Sequence, residues 1–148
     1  FRGVGLARAQ GYGVSFDEYI EHANNDGLLM LQIEHIDAVN NIEDILSVPG
    51  IDGTYIGPYD LSCSMGLAGQ LNHPDVEAAK KRVLEATQAC GLAPGIHLVH
   101  PDMAREELGR HVEMGFRFIA LGTDILLLGD PTRQLHDEAR KIIAGLKT

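Results

Sequence analysis

The sequence predicts an α/β fold built on a parallel sheet. Four short β-rich runs, 28–34 (LLMLQIE), 53–57 (GTYIG), 93–99 (APGIHLV) and 116–122 (FRFIALG), alternate with segments of helical period. Such alternation sets the strands parallel, with covering helices between them. The strand runs are nearly continuous in apolar residues, the pattern of strands buried on both faces. The two halves also echo each other: Tyr55-Ile56-Gly57 then Asp60-Leu61, and Ala120-Leu121-Gly122 then Asp124-Ile125, with Gly57 and Gly122 65 residues apart. Four strands do not close a barrel, and an eight-stranded one takes roughly 200 residues or more. A chain of 148 residues is therefore either an open sheet or about half of a barrel.

The first expected element is a helix around 16–23, with Ser15 as N-cap and Glu18 as its capping-box partner. After the first strand, Ile36, Val39, Ile42, Ile45 and Leu46 mark one apolar helical stripe. Val48-Pro49-Gly50 ends it, because proline disfavours helix in the residue before it. Beyond the second strand, Val76, Ala79, Val83 and Ala86 mark a helix opened by Pro74 in its first turn and closed by Gly91 just past its end. Met103, Leu108 and Val112 mark another, entered through Pro101-Asp102 and left at Gly115. The last runs from Pro131 to about Leu146, with Leu135, Ala139, Ile142 and Ile143 on one face.

Composition narrows the function classes. With 45% hydrophobic and 22% charged residues and only six prolines, the chain has the make-up of a globular domain rather than a disordered or fibrous one. Twelve Lys and Arg against 21 Asp and Glu leave a net charge of −9. That argues against a nucleic-acid or anionic-membrane partner, since both select a basic surface, but it still allows a small metal-bound anion. Cys63 and Cys90 are too few for a disulfide scaffold and have no His or Cys at zinc spacing, so a reducing, cytoplasmic setting is expected. The longest apolar runs, 28–33 and 125–128, fall far short of the roughly 20 residues that span a bilayer. The chain begins Phe1-Arg2-Gly3, with neither an initiator methionine nor a secretory-signal pattern, and a preceding segment is expected.

In a parallel α/β protein the chemistry gathers at the C-terminal ends of the strands. The first strand ends Gln32-Ile33-Glu34, where the period of two puts Gln32 and Glu34 on one face. The second ends Gly57-Pro58-Tyr59-Asp60-Leu61-Ser62, a Gly-Pro turn that delivers Asp60 just beyond the strand. On adjacent strands the two carboxylates share one mouth, and they repel unless a proton or a cation sits between them. All-oxygen ligation suits Mg²⁺, with Mn²⁺ close behind. The same spacing also fits a plainer reading, with Glu34 capping a helix or pairing with an arginine and Asp60 serving as an N-cap.

These residues carry a resemblance. From Leu31-Gln32-Ile33-Glu34, through Val48-Pro49-Gly50-Ile51-Asp52-Gly53 and Ile56-Gly57-Pro58-Tyr59-Asp60-Leu61-Ser62, to His73-Pro74-Asp75-Val76, the sequence resembles the HpcH/HpaI aldolase family, which includes 4-hydroxy-2-oxoheptanedioate and 2-keto-3-deoxy-sugar-acid aldolases. Ala93-Pro94-Gly95-Ile96 and Phe118-Ile119-Ala120-Leu121-Gly122-Thr123-Asp124 resemble its last two strands, and Arg2-Gly3-Val4-Gly5 a segment before its fifth. The resemblance implies a (β/α)8 TIM barrel of the phosphoenolpyruvate/pyruvate type, with residues 1–148 as a single domain covering strands five to eight.

The resemblance further implies a lyase that cleaves a 4-hydroxy-2-oxo acid to pyruvate and an aldehyde, working as a cytoplasmic homo-oligomer. It makes Glu34 and Asp60 the ligands of a divalent cation, Mg²⁺ or Mn²⁺. Gln32 then contacts substrate, and the backbone N–H groups of Tyr59 and Asp60 hold the pyruvate carboxylate. Family members commonly carry a small residue where this chain has Tyr59. The family's catalytic histidine, its assisting aspartate and its substrate arginine come from the first half of the barrel, so no catalytic base is assigned here.

The remaining candidates read as structural. His97 is expected in or beside the sheet, His100 at a loop mouth, and His35 on the face away from Glu34. Gly3, Gly5, Gly11 and Gly13 lack the context of a phosphate loop and read as turn residues. Arg2 and Arg8 read as solvated or salt-bridged, Cys63 as a small buried hydrophobe, and Tyr12 and Tyr55 as packing residues. Two rival readings accompany the aldolase. One is a non-catalytic half-barrel that folds only with a partner, because an open half leaves two edges and an inner face bare. The other is a CoA-ester lyase of the citrate lyase β type, against which the Gly-Pro-Tyr-Asp-Leu-Ser string speaks.

Overall fold

In the computed structural model, which describes residues 5–146, the expected alternation forms a single four-stranded parallel sheet. The strands are β1 (Met30–Ile33), β2 (Gly53–Ile56), β3 (Ala93–Leu98) and β4 (Phe118–Leu121). Their spatial order is their sequence order. The register places Ile33, Ile56, Ile96 and Ile119 in one row across the sheet. The first three are almost wholly buried and anchor the core against the helices. The adjacent row, on the opposite face, is Gln32, Tyr55, Gly95 and Phe118. That face is open: Gln32 is exposed and Phe118 is 44% exposed.

The strand runs shorten at their ends. Leu28 and Leu29 precede β1 and are both exposed, although the Leu29 carbonyl still accepts from the Asp52 N–H at 3.0 Å just ahead of β2. Phe116, expected in the last strand, lies ahead of it and is buried in the core.

The helices on the covered face depart from expectation in detail. The 36–46 stripe is not one helix but two single turns, α2 (Ile36–Asn40) and α3 (Ile42–Leu46). Asn41, at φ −109° and ψ 23°, ends one and caps the next; an asparagine competes with helix by favouring such junctions. Its apolar residues Val39, Ile42 and Leu46 nonetheless all enter the core.

After β2 come the short α4 (Pro58–Ser64) and then α5 (Pro74–Ala89). The stripe of α5 is buried as expected at Val76, Ala79 and Val83. Arg82 of α5 reaches back to the Val39 carbonyl and to Glu43. Helix α6 (Pro101–Met114) stops at Gly115, whose φ of 105° is open to glycine. The buried residue of α6 is His111 rather than Val112, which is 48% exposed, because the imidazole packs against Phe116 at 5.4 Å between ring centroids.

The terminal elements differ most. Helix α1 (Phe16–Asn25) forms and Ser15 precedes it, but at φ −113° and ψ 42° the Ser15 side chain makes no cap bond, so the capping box is absent. The 3-10 segment Arg8–Gly13 ahead of it turns through Gly11 and Tyr12 in left-handed conformation. Residues 1–4, and with them Arg2 and Gly3, lie outside the described residues. Helix α7 (Asp124–Gly145) starts seven residues before the expected Pro131, which sits inside it. The ring forgoes one backbone bond without ending the helix. The face of Leu135, Ala139, Ile142 and Ile143 is not buried, and α7 contains no buried residue at all.

Candidate active site

Glu34 is the first residue past β1. The Gly57 N–H donates to the Ile33 carbonyl at 3.3 Å, which carries the β1–β2 pairing one step further and sets Gly57 alongside Glu34. The Gln32 amide donates to Glu34 Oε2 at 2.7 Å, confirming that the two side chains share a face. A Cβ on Gly57 would stand 3.0 Å from Glu34 Oε2, 3.3 Å from Glu34 Cβ and 3.4 Å from Gln32 Nε2. Glu34 therefore packs closely over the bare Cα of Gly57.

Helix α4 starts from this same glycine. Gly57 is its N-cap, Pro58 fills the first turn, and the first intrahelical bond runs from the Leu61 N–H to the Gly57 carbonyl at 3.0 Å. The Tyr59 and Asp60 N–H groups precede that bond, and a glycine cap has no side chain to take them. They form a small positive end facing outward. Asp60 is exposed in the same turn, and Tyr59 is 42% exposed. A hydroxyl ties the two site-bearing loops together: Ser64 Oγ accepts from the Ile36 N–H at 3.0 Å and donates to the Leu61 carbonyl at 2.7 Å.

The plainer readings of the two acids do not hold. His35, not Glu34, caps α2, its Nδ1 accepting from the Asp37 N–H, and Gly57, not Asp60, caps α4. Neither acid has an ion-pair partner among the described residues. Nor do three or more His, Cys, Asp or Glu side chains gather there into a metal-holding group. Glu34, just past β1, and Asp60, in the first turn of the helix that follows β2, are both carboxylates, oxygen donors of the kind hard divalent cations take.

Of the other side chains read as structural, His97, Tyr55 and His100 stand where expected and Cys63 does not. His97, expected beside the sheet, is there: it stacks on Tyr55 at 6.0 Å, and its Nε2 lies 3.1 Å from the Gly122 carbonyl. Tyr55, expected as a packing residue, also meets Phe118 edge-on at 5.7 Å, and burial raises its phenol above the usual value of 10. Cys63, expected buried, is exposed on α4, because the inward positions of that short helix are taken by Leu61 and Ser62. His100 caps α6 through Nδ1 and meets Asp130 through Nε2 at 3.2 Å, a structural role. The cross-strand set of Tyr55, His97 and Phe118 escaped the sequence reading; the available signal was the period of two, which puts Tyr55 and His97 on the face of Gln32 and Glu34 once the register is known.

A family model described as HpcH/HpaI aldolase/citrate lyase matches residues 5–131. The chain is 42% identical over 129 residues to 4-hydroxy-2-oxo-heptane-1,7-dioate aldolase of Salmonella paratyphi C, covering 86% of this chain and 47% of that one. Among solved structures, an HpcH/HpaI aldolase/citrate lyase family protein from Burkholderia cenocepacia superposes with a TM-score of 0.77 at 37% identity, over 95% of this chain and 53% of the other. The HpcH/HpaI aldolase from Desulfitobacterium hafniense gives 0.76 at 29% identity, over 94% and 53%. The chain thus spans about half the length of the relatives it matches.

Proposed function

Because the chain belongs to the HpcH/HpaI aldolase/citrate lyase family, we propose that it carries the divalent-metal and pyruvate site of a lyase that reversibly cleaves a 4-hydroxy-2-oxo acid to pyruvate and an aldehyde. The observation that carries the reading is the contact of Gln32, Glu34 and bare Gly57 beside the open N-terminal turn of α4. The aldolase branch is favoured over a citrate lyase type by the 42% identity to an aldolase.

Glu34 and Asp60 would hold Mg²⁺ or Mn²⁺, which when bound supplies Lewis acidity to the 2-oxo group. The rest is done by this chain's own groups. The Tyr59 and Asp60 N–H groups bind the substrate carboxylate at the positive end of α4. Gln32 orients Glu34 through its 2.7 Å bond and lines the same face toward substrate. In the cleavage direction the 4-hydroxyl loses its proton and its oxygen becomes the aldehyde carbonyl. The C3–C4 bond breaks, its electron pair passes to C3, and the resulting enolate of pyruvate takes a proton there. Neither proton transfer is assigned to this chain. The proposal places the base in the other half of a TIM barrel whose strands five to eight are β1–β4, consistent with a chain half as long as its relatives.

A retro-aldol assay of the full-length gene product on a panel of 4-hydroxy-2-oxo acids, with metal and after chelation, tests the reading. Metal-dependent pyruvate release supports it, and release indifferent to chelator overturns the metal role. A second reading, a non-catalytic half-barrel assembly module, is favoured by the unburied apolar face of α7; sedimentation of the 148-residue chain as a stable folded monomer counts against it.

A further inference from the structure

Beyond the row Gln32, Tyr55, Gly95 and Phe118, the next row of the open face continues with Glu34, Gly57, His97 and Ala120. A carboxylate stands on one strand, an imidazole two strands away, and between them lies a residue with no side chain. At a strand spacing of about 4.8 Å, the Glu34 and His97 backbones are about 10 Å apart. A three-carbon 2-oxo acid held, as proposed above, by Glu34 and the start of α4 would lie over Gly57. Whatever is bonded beyond its C3 then has His97 as its neighbour.

The imidazole is fixed in a particular way. Its Nε2 lies 3.1 Å from the Gly122 carbonyl, and a carbonyl only accepts, so in the neutral ring Nε2 carries the proton and Nδ1 is a bare acceptor. The ring face is held by Tyr55. Nδ1 has no hydrogen-bond or ion-pair partner among the described residues. An anchored, half-buried acceptor favours a donor on the ligand and gains nothing from an alkyl group.

We infer that His97 is a specificity-determining residue that selects, through Nδ1, aldehydes bearing a hydroxyl next to the carbonyl over alkyl aldehydes of the same size. The inference rests on the pyruvate-aldolase reading above. Its test is aldol addition of pyruvate by the full-length gene product to glycolaldehyde and to propanal, which have equal numbers of heavy atoms and differ in hydroxyl against methyl. The measured quantity is the ratio of the two kcat/KM values in the wild type, His97→Leu and His97→Gln. The ratio should fall about tenfold in His97→Leu, one lost hydrogen bond to a half-buried acceptor being worth a factor of that order. It should stay within about threefold of wild type in His97→Gln, which keeps an acceptor. A ratio equal in wild type and His97→Leu overturns the inference. Exchange of the pyruvate methyl protons with deuterated water, followed by NMR without any aldehyde, separates the two claims. Exchange in the wild type with an unchanged ratio sinks the role of His97 alone, whereas no exchange in the wild type sinks the pyruvate reading and this inference together.

Discussion

Gln32 holds Glu34 by a 2.7 Å hydrogen bond to Oε2, which leaves Oε1 of the same carboxylate free. An orienting partner of this kind is typically worth 10- to 100-fold in metal affinity. Titration of the full-length protein with Mn²⁺ should show about tenfold weaker binding in Gln32→Ala. Loss of about 100-fold or more is expected in Glu34→Ala and in Asp60→Ala, each of which removes a proposed ligand. Unchanged affinity in both of the latter removes the metal assignment.

Gly57→Ala tests the same contact from below. The added Cβ meets Glu34 Oε2 at 3.0 Å and Glu34 Cβ at 3.3 Å; the carboxylate can swing away, whereas its Cβ cannot. Gly57 has φ −94°, which any residue adopts, so no backbone strain is added. The expected result is a stability loss of about 1–3 kcal/mol, together with Mn²⁺ affinity lowered as far as in Gln32→Ala. Chemical denaturation beside the titration reads both.

The buried threonine pair under β2 behaves asymmetrically. Thr87 Oγ1 donates to the Val83 carbonyl at 2.7 Å, so the 2.9 Å bond between the hydroxyls must have Thr54 as donor. Thr87→Val strands the Thr54 hydroxyl in the core and should cost about 1–3 kcal/mol. Thr54→Val strands nothing and should cost less than about 1 kcal/mol. Urea unfolding of the two variants in parallel decides the order.

Tyr55 should be the last of the four tyrosines to ionise, since burial raises its phenol above 10. A raised folded-state value means that the neutral phenol favours the folded state. That contribution is complete below pH 10 and is lost as pH rises through the folded value. Absorbance titration should show one late phenolate step that Tyr55→Phe removes, and the variant should lose stability less steeply above pH 10 than the wild type.

The fold was legible because its signals are local. The runs around Ile33, Ile56 and Ile96 are short, apolar and bounded by Gly and Pro, and Pro74, Pro101 and Gly115 mark their helix ends where expected. What escaped depends on partners far along the chain. Periodicity shows that Leu135, Ile142 and Ile143 share a face of α7, yet whether that face is covered depends on a surface elsewhere. The candidate site divides in the same way. Gln32 with Glu34 follows from strand period alone, and the Gly57-Pro58 turn announces α4. The stacking of Tyr55 with His97 and Phe118 depends on a register between strands some 20 to 40 residues apart, and the Ser64 tie between loops is likewise non-local.

The sequential strand order has a kinetic meaning. Each strand pairs only with the one immediately before or after it in the chain, so the sheet is a linear array with nearest-neighbour coupling, and loop closure is inexpensive at every addition. Such an array is expected to nucleate at β2 and β3, the strands packed beneath α5, and to grow outward. Amide exchange should then be slowest at Ile56 and Ile96 and fastest along α7, the last unit added and the first to open.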